Sequence, residues 1–216
     1  VRNARGEVRE CIQGDTLTHR ILLDEDALQA MPAARSLVEN RHYERLLKYC
    51  GSRLKRPLYY IQSIKNGYRD GRSDPQKVLH SDTFHPTMKA WFFLDDVGPE
   101  KGPFTYVPGS HRLTMARLKW EYRRSVESKS LNDGYSEKGS MRADQEDLKE
   151  LGLPAPRACT VKANTLVVAD THGFHCRGQA DEGASRLEIW AYSRTNPFNP
   201  LPGLGLPIFS RIEHKL

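Results

Sequence analysis

The stretch VLHSDTFHPTMKAWFFLDD, residues 78–96, decides how the chain is to be read. Its second half, KAWFFLDD, is an apolar run ending in two carboxylates, the pattern of a buried strand. Its first half sets His80, Asp82 and His85 within six positions. If VLHSD is a strand, side chains two apart share a face, so His80 and Asp82 have Cα atoms about 6 to 7 Å apart and can converge on one metal ion. One imidazole and one carboxylate are an incomplete ligand set. A second histidine from a distant segment would complete the two-histidine, one-carboxylate face that leaves positions open on Fe(II). The segment ADTHGFHCRGQADEGASR, 169–186, offers two donors, His172 and His175.

Outward from this stretch the chain changes grammar. PAARSLVENRHYERLLKYCG, 32–51, opens on proline, spaces Leu37, Val38, Leu46, Leu47 and Cys50 along a helical face and ends on Gly51, which predicts one helix with a glycine cap. LYYIQSI, VLHSD, KAWFFLDDV and FTYVPGS follow, then ACTVKA, TLVVAD, GFHCRG and RLEIWAYSR. These are short β-rich runs punctuated by Gly, Pro, Asp and Asn. Such a series predicts an all-β sandwich or barrel with helices before it. Between the two groups lies a charged insertion, 112–158, read as a helical flap too polar to be core, with Met115, Leu118, Tyr122 and Val126 in a stripe. The tail NPFNPLPGLGLPIFSRIEHKL predicts an extended arm packed by Phe198, Leu206 and Phe209.

A chain of 216 residues suits one domain, here 1–216, and can bury a core. No run approaches the roughly 18 apolar residues that cross a bilayer, and the first residues lack an apolar signal core, so a cytoplasmic location without membrane partners is expected. Cys11, Cys50, Cys159 and Cys176 are far apart, which argues against a zinc knuckle or a disulfide scaffold. The net charge of +6 comes from 33 basic and 27 acidic residues mixed along the chain, and no RNP, helix-turn-helix or finger pattern accompanies it, so no nucleic-acid partner is expected. One concentration stands out: Arg112, Arg117, Lys119, Arg123, Arg124 and Lys129 fall within 112–129, suggesting a helix that faces an anionic substrate.

LHSDTFHPTMKAWFFLDDV, KGPFTYVPGSHRLT and DTHGFHCRG followed by an arginine, in this order over about residues 58–194, together resemble the phytanoyl-CoA dioxygenase family of 2-oxoglutarate-dependent non-haem iron oxygenases. The resemblance implies a double-stranded β-helix, or jelly roll, with N-terminal helices and the helical insertion. It also implies that H-x-D and a distal histidine ligate iron, and that an arginine ten residues beyond that histidine pairs with the far carboxylate of 2-oxoglutarate. Ten residues separate His175 from Arg186, and thirteen separate His172 from it. The resemblance therefore assigns His80, Asp82 and His175 to Fe(II) and Arg186 to 2-oxoglutarate, with O2 as co-substrate. Gln62, Lys89 and Trp91 fall on strands that flank the iron in the family, as further contacts to 2-oxoglutarate. His85, His172 and His111 are expected in loop or supporting roles, Asp95 and Asp96 as solvated carboxylates, and Cys176 as a buried thiol turned from the metal. Retention of Asp82 favours hydroxylation over halogenation, because related halogenases replace that carboxylate. Arg177 departs from members that carry Ser or Thr two residues after the distal histidine. The implied activity is hydroxylation of a small organic molecule with release of succinate and CO2; the alternative is a jelly roll that binds a metal or small ligand without catalysis.

Overall fold

The computed structural model describes residues 7–50, 57–69, 71, 73–131 and 134–193; Gly51 and the proline-rich tail lie outside them. The chain opens on a hairpin that the sequence pattern did not mark, β1 (Arg9–Gln13) and β2 (Thr16–Leu22), turning at Gly14, whose φ of +58° suits glycine. Three helices follow: α1 (Glu25–Ala30), α2 (Pro32–Val38) and α3 (Arg41–Cys50). The single helix expected over 32–51 is two. Asn40 breaks it, because its side-chain oxygen accepts from the backbone N–H groups of His42 and Tyr43 at 3.0 and 3.1 Å and so starts a new helix.

The remaining strands are β3 (Leu58–Lys65), β4 (Met88–Phe93), β5 (Phe104–Tyr106), β6 (Arg157–Ala158), β7 (Thr165–Asp170), β8 (His175–Arg177) and β9 (Ser185–Ser193). All pair antiparallel, in a six-stranded sheet ordered β1-β2-β3-β9-β4-β7 and a three-stranded sheet ordered β6-β5-β8. This is the mainly-β jelly roll with few helices, and among the described residues its sheets do not close into a barrel. VLHSD is not a strand: within it His80 alone makes bridges, to His175 on one side and Arg142 on the other.

Strand parity separates the two faces of the large sheet. Ile21, Tyr59, Ile61, Ile189 and Ala191 point one way and bury Ala27, Leu28, Val38, Tyr43 and Leu47 of the three helices. Burying each large aliphatic there contributes about 1.5–3 kcal/mol. Arg20, Gln62, Ile64, Arg186 and Trp190 point the other way and line a cavity between the sheets.

The insertion is helical, with α4 (Met115–Leu131) and α5 (Gln145–Glu150), but it has a core of its own. Trp120 is fully buried with Val107, Met141, Leu148 and Phe174, and its indole N–H donates to Asp147 at 2.7 Å. The predicted stripe is the exposed side: Met115, Leu118, Tyr122 and Val126 are all open to solvent. The face that packs is marked by Arg117 and Trp120, whose polar atoms find partners inside. No helix among the described residues is long and apolar enough to cross a membrane.

Candidate metal centre and its cavity

Reciprocal backbone bonds bring the two distant histidines together. The His80 N–H donates to the His175 carbonyl at 2.9 Å, and the His175 N–H returns to the His80 carbonyl at 2.8 Å. Asp82 is pinned by its N–H to the Thr171 carbonyl at 3.0 Å. His80, Asp82 and His175 then offer ligand atoms that all lie within 4.8 Å of one another. The two Nε2 atoms are 3.9 and 3.7 Å from the same carboxylate oxygen of Asp82.

The hydrogen bonds fix which nitrogen is free. His80 Nδ1 lies 2.7 Å from the Val78 carbonyl and His175 Nδ1 2.9 Å from the Gly173 carbonyl; a carbonyl only accepts, so each Nδ1 carries the proton. Each Nε2 is therefore a lone pair, buried and, among the described residues, without a hydrogen-bond partner. Leaving a buried acceptor unsatisfied costs about 1–3 kcal/mol. Two such lone pairs converging beside a carboxylate fit a divalent cation, which would satisfy both. Burial, then the neighbouring His175, holds His80 well below the usual imidazole range, and burial lowers His175 to about 4 although Asp82 pulls it up. Burial alone would raise Asp82, but Lys89 and His175 outweigh it and keep the carboxyl well below its ordinary value. Neutral imidazoles and an ionised carboxylate are the protonation states a metal requires.

A cavity of about 320 Å³ adjoins these atoms. Arg186, Gln62, Lys89 and Trp91 all line it, and each has partners within the chain. Arg186, on β9, donates from Nε to Glu188 at 3.0 Å and from Nη1 to the carbonyls of Lys101, at 2.8 Å, and Gly102. Among the described residues no hydrogen bond uses its Nη2. The Gln62 amide donates to Glu188, and its oxygen accepts from Arg20 Nε at 2.9 Å. Lys89 Nζ stands 2.7 and 2.9 Å from the two oxygens of Asp82. Trp91 packs on Phe104 with ring centroids 4.3 Å apart.

Other expectations divide. His85 is turned aside, Nδ1 to its neighbour's carbonyl at 3.2 Å, and His111 is exposed in the turn after β5. His172 supports from within: it is buried, with Nε2 2.8 Å from Glu121 of α4. Asp96 is exposed against Lys162, whereas Asp95 is half-buried and accepts from the Leu187 N–H. Cys176 lines the cavity and is half-buried rather than buried, its thiol pushed up to about 11 by burial. Arg177 lines it too, paired with the fully buried Asp74 at 2.6 Å, and burial lowers it to about 10. The basic run on α4 does not face the cavity: Arg117 pairs with Glu121, Arg123 with Glu150, and Arg124 with Asp147. Glu188 and Arg20 were overlooked in the sequence, yet Glu188 sits two residues after Arg186 and so must share its face of β9.

A family model described as phytanoyl-CoA dioxygenase matches residues 2–150, a range that holds His80 and Asp82 and ends before His175 and Arg186. No curated protein matches the chain. Among solved structures, the chain is similar to the epimerase SnoN in complex with Fe3+, alpha ketoglutarate and nogalamycin RO. The two share 20% identity and a TM-score of 0.52, over 87% of this chain and 68% of that one. It is similar also to HygX from Streptomyces hygroscopicus with nickel and 2-oxoglutarate bound, at 19% identity and a TM-score of 0.51, over 88% and 74% of the two chains. At such identities the likeness is one of fold.

Proposed function

Because the chain belongs to the phytanoyl-CoA dioxygenase family, we propose that it is an Fe(II)- and 2-oxoglutarate-dependent dioxygenase that hydroxylates a small organic substrate. The observation that carries this reading is the pair of buried, unpartnered Nε2 lone pairs facing Asp82 beside a cavity lined by Arg186. When bound, iron and 2-oxoglutarate supply the oxidising chemistry, consuming O2 and releasing succinate and CO2. The chain's part is to hold and orient. His80, Asp82 and His175 present one face to the metal and leave its other positions free.

Arg186 takes the far carboxylate of 2-oxoglutarate, its planar fork held in place by Glu188 and the two carbonyls of Lys101 and Gly102. Gln62 steadies Glu188 from the adjacent strand, and Trp91 walls the site with Phe104. Lys89 keeps Asp82 ionised. The competing reading, a jelly roll that binds a ligand without catalysis, draws support from one fact: Arg186 already has a carboxylate partner in Glu188.

The deciding experiment is anaerobic addition of Fe(II) and then 2-oxoglutarate, watching for the visible charge-transfer band of the chelate. The band is expected in the native protein and absent from folded Asp82→Ala and His175→Ala variants. A folded native protein that develops no band refutes the proposal.

A further inference from the structure

Among the described residues four cations line the cavity: Arg20, Lys89, Arg177 and Arg186. Three have a carboxylate each, in Asp82, Asp74 and Glu188. Arg20 is the exception; among the described residues it makes no ion pair. Its Nε donates to the neutral Gln62, and its guanidinium lies 4.6 Å from the centroid of the Trp190 ring, which holds the group in place without cancelling its charge.

A second charge stands beside it. Arg9 on β1 is the direct cross-strand partner of Arg20, on the side of β1 from which Cys11 and Gln13 line the cavity. Like charges placed directly opposite on a sheet are destabilising unless an anion comes between them. The charge balance of the loaded site points the same way. Iron(II) brings two positive charges and 2-oxoglutarate two negative ones, so loading leaves the surplus at Arg20 unchanged.

We propose that Arg20, aided by Arg9, forms a subsite for an anionic group of the substrate, a carboxylate or a phosphate monoester. This rests on the dioxygenase reading and narrows its substrate class. Arg20 is on β2 and Lys89, beside the metal ligands, is on β4, three strand spacings away in the sheet, or about 14 Å of backbone. The anionic group is therefore several bonds removed from the carbon that is oxidised. The anionic substrate expected from the sequence is retained, but its contact moves from the α4 arginines to the N-terminal hairpin.

The test uses ligand-observed saturation-transfer NMR on protein loaded with Zn(II), a diamagnetic stand-in, and 2-oxoglutarate. The probes are hexanoate and hexyl phosphate, with hexanamide and 1-hexanol as neutral counterparts. The anions should bind saturably and the neutral probes at least about tenfold more weakly. Arg20→Gln should weaken the anions by about 10- to 100-fold, Arg9→Gln by less, and Arg20→Lys, which keeps the charge, should retain part of the binding. The tighter of hexanoate and hexyl phosphate identifies the anion.

Equal binding of hexanoate and hexanamide overturns the subsite, as does unchanged binding by folded Arg20→Gln. In parallel, 2-oxoglutarate is titrated against the Fe(II) charge-transfer band. If Arg20→Gln weakens 2-oxoglutarate as much as hexanoate, Arg20 is part of the co-substrate clamp and the subsite is refuted. A native band without anion binding sinks the subsite alone; no native band sinks the dioxygenase reading and the subsite together.

Discussion

Replacing Arg117 by leucine should unfold the link between the insertion and the metal centre. This side chain is 3% exposed. Its Nε meets Glu121 at 2.8 Å, its Nη1 the Ser110 carbonyl at 3.2 Å and its Nη2 the His172 carbonyl at 3.1 Å, while the guanidinium lies 3.9 Å from the Phe174 ring centroid. Leucine fills part of the volume but leaves the buried Glu121 carboxylate with His172 as its remaining partner; burial alone would raise that carboxyl, and His172 and Arg117 together hold it below its ordinary value. Removing one partner of a buried pair costs about 3–5 kcal/mol. For a chain of this size that lowers Tm by about 10 °C. Urea unfolding of the metal-free protein measures it directly. Replacing Arg117 and Glu121 together by leucine removes the half-paired charge but also the partner of His172 Nε2, and should recover part of the loss. His175 follows three residues after the carbonyl that Arg117 holds, so nickel affinity should also fall by about tenfold. A loss under about 1 kcal/mol, the range of an exposed ion pair, would refute the reasoning.

Lys89→Met removes the cation that competes with a metal for Asp82, so calorimetric titration with Ni(II) should show about tenfold tighter binding, with a less stable metal-free protein; weaker binding would mean that Lys89 chiefly positions the carboxylate. Because burial lowers His175 to about 4 and holds His80 well below its usual range, protons should compete with Ni(II) only below about pH 5, whereas unshifted imidazoles would begin to compete near pH 6.5. A steady loss of affinity from pH 7 downward contradicts this. Gly102→Ala places a methyl group 2.9 Å from the Gly178 carbonyl at a φ of +62° and shifts the carbonyls that hold Arg186, so 2-oxoglutarate affinity should fall while Ni(II) affinity holds. Trp120→Phe leaves Asp147 without its indole donor at a cost of about 1–3 kcal/mol, and hydrogen exchange should rise in α4 and α5 before it rises in β3 or β9.

Where chemistry concentrates in few residues, the sequence was legible. H-x-D and the second histidine stand out because few side-chain types ligate a metal, whereas strand parity shows that Glu188 shares a face with Arg186 but not that this face borders the cavity. The hairpin was not legible: RECIQ and TLTHRIL carry charges on both faces, one of which lines a charged cavity, so the apolar alternation that marks a half-buried strand is missing. The break at Asn40 was readable in principle, as asparagine starts helices by bonding the backbone beyond it, but the apolar spacing runs through it and suggested continuity. The α4 stripe misled for a related reason. Periodicity shows which residues share a face and not which face is covered, and there the covered face is held by Arg117 and Trp120, whose polar atoms find partners only in the folded chain.

VLHSD shows why the metal centre depends on a segment the sequence treats as peripheral. Its backbone is not a strand of either sheet, yet His80 is held from both sides: by β8 through the exchange with His175, and by the insertion, where the Ser81 N–H donates to the Met141 carbonyl and the Ala143 N–H to that of Leu79, at 2.9 and 3.0 Å. Met141 and Ala143 are in turn buried with Trp120 and Leu148. The insertion therefore acts as the missing neighbour strand for the H-x-D segment, and its small core keeps that neighbour in place. Two lone pairs can then face an ionised carboxylate in a buried site without the chain relaxing to cover them.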